Sequence, residues 1–127
     1  MSNWRSISLV GCFILCGCQY DPGVYVEFPA NGKIIFSMRE KDNRFCIESV
    51  NVAEISENHK KYIRDIWQIS HSDAGLEVKE CRKSVIFGED ISRFYTLHHA
   101  EKIEKGRFYS VSISGPGFIA EESFNLP

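Results

Sequence analysis

The 127-residue chain lacks a hydrophobic run long enough to cross a bilayer. Its main uncharged apolar stretch, Ile7 to Leu15, is about nine residues, against roughly twenty for a helical span. A permanent transmembrane helix is therefore not expected. The chain also lacks a basic excess: 15 Lys and Arg stand against 17 Asp and Glu, a net charge of −2. A nucleic-acid binder would show the opposite balance, so no nucleic-acid partner is expected. There is no internal repeat and no low-complexity tract.

Catalytic settings are missing as well. No Gly-x-Ser-x-Gly or other nucleophile setting occurs. Neither a helix pattern nor Lys-Ser follows Gly115-Pro116-Gly117, so it is not a phosphate loop. Glycoside hydrolysis needs two facing carboxylates. Glu77 and Glu80 fall on opposite faces of a strand, while Glu89-Asp90 and Glu121-Glu122 read as solvated turns. His59, His71, His98 and His99 show no zinc spacing. His98 and His99 are adjacent, and on a strand they point to opposite faces. These absences lead us to expect no enzyme, no catalytic residue, no cofactor and no metal.

What is present begins at the amino end. Arg5 precedes the uncharged stretch Ile7 to Leu15, and small Gly17 precedes Cys18. That order of charge, apolar core and small residue is a secretory signal. The sequence Leu15-Cys16-Gly17-Cys18 resembles the lipobox of bacterial lipoproteins, with Cys16 in place of the more usual Ala, Ser or Thr. The resemblance implies cleavage after Gly17 and lipid on Cys18. Each buried methylene contributes about 0.8 kcal/mol, so two or three acyl chains hold a protein where one does not. Gln19 follows the cysteine, which in enteric-type bacteria implies an outer-membrane anchor with the domain in the periplasm. Residues 18–23 would be the lipidated tether. Its five residues after Cys18 reach roughly 17 Å, which keeps the domain near the membrane.

Loss of residues 1–17 leaves 110 residues, one domain at 24–127. It takes Arg5 with it, leaving 14 basic residues against 17 acidic. Of five cysteines, Cys12 and Cys16 leave with the signal and Cys18 takes lipid. Cys46 and Cys81 remain, and two thiols in an oxidising compartment read as one disulfide. That reading depends on export. Without it, two separate buried thiols is the alternative.

The rest alternates in short strands. Val24 to Phe28 and Lys33 to Met38 flank the Asn31-Gly32 turn as a hairpin. Phe45 to Val52 is a third strand, and Ala53 to Lys61 is polar and unpatterned. Tyr62 to Ile69 fits a strand, with Asp65 awkwardly on the apolar face, or a helical stripe of Tyr62, Ile63, Ile66 and Trp67. The β-rich surroundings favour a strand. Leu76 to Cys81, Ser84 to Phe87, Phe94 to His98, Arg107 to Ser114 and Phe118 to Leu126 follow. In the cleanest of them Tyr109, Val111 and Ile113 alternate with Phe108, Ser110, Ser112 and Ser114. Turn signals recur every eight to twelve residues, the pattern of an all-β antiparallel sandwich or barrel.

Gly106 to Val111 resembles the late strand of immunoglobulin- and fibronectin-like domains, where a glycine precedes an aromatic and then alternating apolar residues. Trp67 between two cysteines adds to the resemblance, which implies an immunoglobulin-like sandwich. Sixteen aromatic residues are a surplus. Some of Tyr62, Phe94, Tyr95 and Tyr109 are candidates for an exposed sheet face, where aromatics beside charges anchor protein partners.

Lipobox, small acidic sandwich, a Cys46–Cys81 bridge and no active site together resemble the periplasmic immunity lipoproteins encoded beside type VI secretion effectors. Phe45-Cys46-Ile47, Trp67 and Gly106 to Val111 carry that resemblance. It implies a membrane-anchored domain that binds a protein partner, a periplasm-acting toxin, and neutralises it. An envelope or secretion-assembly accessory lipoprotein is the alternative, and a small-ligand binder a third.

Overall fold

A computed structural model describes residues 21–72 and 80–127. Cys18, the signal and most of Leu76 to Cys81 lie outside the described residues. Among the described residues there are eight strands and no helix. They are β1 (Val24–Glu27), β2 (Ile35–Met38), β3 (Ser49–Ile55), β4 (Tyr62–His71), β5 (Ser84–Ile86), β6 (Phe94–His98), β7 (Phe108–Gly115) and β8 (Phe118–Phe124). Two antiparallel sheets result, one ordered β1-β2-β5 and the other β6-β4-β3-β7-β8. The chain is an all-β antiparallel sandwich.

Alternation builds the core. Phe36 and Met38 point inward from the smaller sheet. Val50, Val52, Trp67, Tyr109, Val111 and Ile113 meet them from the larger one, each at most 2% exposed. Full burial of one such aliphatic or aromatic side chain contributes about 1.5–3 kcal/mol. Trp67 meets Phe87 edge-on at 5.2 Å, and Phe124 of β8 packs against Phe36 at 5.5 Å, so rings join the two sheets.

The hairpin forms as expected, with Val24 opposite Met38 and Glu27 opposite Ile35. Gly32 takes φ +78°, a left-handed conformation that favours glycine. Residues 62–69 are strand. The register slips between Val52 and Ala53, which pair with Trp67 and Asp65, so Ile66 is the extra residue of a β-bulge. Ile66 and Trp67 are both buried as a result, and Asp65 leaves the apolar face. The helix-like neighbours and the awkward aspartate have this one cause.

Three expectations are corrected. Glu121 and Glu122 lie within β8, not in a turn. The third strand starts at Ser49, not Phe45, because Ile47 N bonds the Arg82 carbonyl outside any ladder (2.9 Å). It continues through Ala53 to Ile55, a stretch the polarity of Glu54 disguised. Tyr109 is not on the exposed face. It stands inward with Val111 and Ile113 at 0% exposed, and its hydroxyl accepts a hydrogen bond from Glu104 N (2.9 Å).

The ends of the sandwich are closed differently. At one, Cys46 and Cys81 form a disulfide with Cα atoms 4.9 Å apart. Gly115 packs there so closely that an added Cβ would lie 2.3 Å from the Cys46 carbonyl oxygen. At the other, the Glu54 carboxylate receives Arg64 (3.0 Å) and Arg107 (3.4 Å). Arg64 also reaches Glu101 (3.2 Å), and Arg107 reaches Glu104 (3.1 Å).

Candidate protein-binding face

Strand alternation that sends Val50, Val52, Ile69, Val111 and Ile113 inward sends their neighbours outward. Cross-strand register then sorts the outward residues into rows. Tyr95, Ser70, Ser49, Ser114 and Ile119 lie side by side across all five strands of the larger sheet. His98, Gln68, Asn51, Ser112 and Glu121 form the next row, and Asp65, Ala53, Ser110 and Ser123 the one after it. Short side chains dominate, so the face is low and rich in donors and acceptors.

The face has apolar margins. Tyr95 and Leu97 on β6 are 50% and 56% exposed, and Ile119 on β8 is 40% exposed. Ser49 Oγ and Ser114 Oγ are hydrogen-bonded to each other. At the centre Asn51 Oδ1 is buried and has no hydrogen-bond partner among the described residues, a condition that costs about 1–3 kcal/mol.

The Glu54 network lies at one end of the same sheet. Its hydrogen bond to Glu54, ahead of the nearby Glu101 and Glu54 charges, raises the Arg64 pKa above its ordinary value, while desolvation opposes the shift. Arg64 therefore stays charged. His98 extends the network through Glu101 (2.7 Å).

The candidate residues are dispersed. Cys46 and Cys81 meet in the disulfide, and Cys18 lies outside the described residues. His71 is buried against Phe94, with ring centres 5.0 Å apart, and His59 packs against Phe108 at 5.2 Å. His98 is on Glu101, and His99 is exposed. Among the described residues, no group of three His, Cys, Asp or Glu side chains converges on a metal position. Glu77 lies outside the described residues. Of the four aromatic candidates, Tyr62 (62%) and Tyr95 are exposed, Phe94 is half-buried and Tyr109 is core.

Sequence reasoning missed the rows themselves. Ser110, Ser112 and Ser114 were visible as the second face of one strand. That Ser49, Asn51, Gln68 and Ser70 lie beside them depends on register between strands, which no single segment encodes. Among the described residues, no helix is long and apolar enough to cross a membrane. No family model, curated protein or solved structure matches the chain.

Proposed function

We infer that this is a protein-binding domain, held at a bacterial outer membrane by lipid on Cys18, and that it neutralises a toxin acting in the periplasm. The outward face of the five-stranded sheet carries this reading. Serine and asparagine rows offer adaptable hydrogen bonds, and rigid aromatics supply contact area at low entropic cost, the chemistry of antibody paratopes. Tyr95 and Leu97 are the anchors.

The finer fold assignment belongs to the same proposal. The Tyr109 hydroxyl bonds backbone just upstream of its strand, as in the tyrosine corner of immunoglobulin-like sandwiches. The Cys46–Cys81 bridge departs from that pattern. It joins the segments that precede β3 and β5, not two facing strands.

Ser112→Arg tests the face. The outward arginine would stand in the middle of the contact and leave the core untouched. Affinity for a toxin encoded beside this chain, measured by calorimetry, should fall by roughly thirtyfold or more, a hot-spot-sized loss of about 2 kcal/mol. Cells carrying the variant should lose protection in step. Unchanged affinity would move the contact elsewhere. If deletion of this chain disrupts envelope assembly with no toxin present, the accessory reading replaces the immunity one.

A further inference from the structure

Among the described residues, four strands end a sheet: β1 and β5 in one, β6 and β8 in the other. Exposed edges present unpaired backbone, and proteins usually blunt them with charge, proline, shortness or a bulge. β8 carries Glu121 and Glu122, β1 carries Glu27 and packs beside β8, and β5 is three residues long. β6, Phe94-Tyr95-Thr96-Leu97-His98, has no acidic, Lys, Arg or Pro residue. Its Leu97 is the extra residue of a bulge, since Ile69 pairs with Thr96 and Gln68 with His98. The bulge is the one such device β6 has, and it leaves Leu97 more than half exposed.

The ladder shows which way its backbone points. His71 N donates to the Glu48 carbonyl (2.6 Å), toward β3, and Ser72 N donates to the Arg93 carbonyl (2.7 Å), toward β6. Antiparallel pairing alternates. Ser70 and its partner Tyr95 therefore bond each other, while the Thr96 amide and carbonyl point away from the sheet.

We propose that β6 pairs antiparallel with β6 of a second copy of this chain, about a two-fold axis at Thr96, so that two five-stranded sheets become one. The strand complements itself in that register. Thr96 faces Thr96 and exchanges two backbone hydrogen bonds. Tyr95 of each copy faces Leu97 of the other, an aromatic–aliphatic cross-strand pair. Charge does not oppose the register, because no acidic, Lys or Arg residue lies within β6. Two β8 edges meeting the same way about Glu121 would oppose like charges. The contact is isologous and closes at two copies. It shares Tyr95 and Leu97 with the margin of the proposed partner face, but joins the copies through the strand edge and not through the serine rows. Five residues per copy fall below the about 1,200 Å² of stable complexes, so the dimer is weak and has to be trapped.

Disulfide trapping of the full chain in cells tests both occupant and register. Opposed residues of a non-hydrogen-bonded pair have Cα atoms about 4.5 Å apart, within disulfide reach. Tyr95→Cys and Leu97→Cys chains expressed together should give an oxidant-dependent dimer on non-reducing gels. Either variant alone should give far less, as should the wild-type chain. Adding Thr96→Pro to both removes the outward amide at a position where an edge strand tolerates proline. It should cut the trapped dimer by roughly tenfold or more, with unchanged Trp67 fluorescence reporting an intact fold. Equal trapping in single and mixed variants would mean random collision and would overturn the proposal. So would no trapping in folded protein, or trapping to a different protein.

Discussion

The two ends of the sandwich close the same core by different physics. One end is fastened covalently: Cys46–Cys81 closes a 35-residue separation. Lys83 then inserts its ammonium among the carbonyls of Asp42 and Phe45. The other end is fastened by charge, with one nearly buried carboxylate, Glu54, shared by Arg64 and Arg107. A disulfide acts mainly on the unfolded chain, by removing conformations it could otherwise reach. An ion-pair network acts on the folded state and is screened by salt where it is exposed. The first end should therefore respond to reductant far more than to ionic strength, and the second should do the reverse.

The largest way to break that contrast is at the covalent end. Replacing both cysteines, Cys46→Ala with Cys81→Ala, should cost about 4 kcal/mol, lowering Tm by roughly 15 °C or more. Calorimetry in high and low salt should give the same loss. At the charged end, Glu54→Ala leaves Arg64 and Arg107 without their shared acceptor. With both arginines nearly half exposed, the expected loss in urea denaturation is about 1–3 kcal/mol, and it should shrink as salt is added. A loss independent of salt would show that Glu54 acts through packing.

Acid sharpens the comparison at small amplitude. The Asp42 carboxylate accepts a hydrogen bond from Arg44 N (2.9 Å), which lowers its pKa below the ordinary 3.8, with the Arg44 charge assisting. A carboxylate with a depressed folded-state pKa contributes stability above its unfolded pKa and loses it as pH falls through the folded value. The covalent end should therefore loosen slightly below pH 3.8. Asp42→Asn should remove that increment, seen as a flatter Tm against pH.

How much of this was written in single segments varied along the chain. Phe94 to His98 matched β6 residue for residue. Tyr109, Val111 and Ile113 gave an inward face by alternation alone, and the disulfide joins the two cysteines that an exported chain was expected to keep. The end of β3 was hidden because a strand that buries glutamate needs arginines that arrive from β4 and from just before β7. The bulge at Ile66 was hidden because it shifts the phase within one strand, turning a period-two pattern into two buried neighbours. The candidate face was hidden for the same kind of reason. Its rows are products of register among five strands, and local hydropathy carries no record of register.

The alternation that built the core has a consequence of another kind. Along β3 and β7 every second letter belongs to the interior, and the letters between belong to the surface. Ser49, Asn51, Ser112 and Ser114 can therefore be rewritten while Val50, Val52, Val111 and Ile113 stay as they are. A chain organised this way holds two texts on one line. One is kept by packing, and the other is open to revision by whatever meets the sheet from outside.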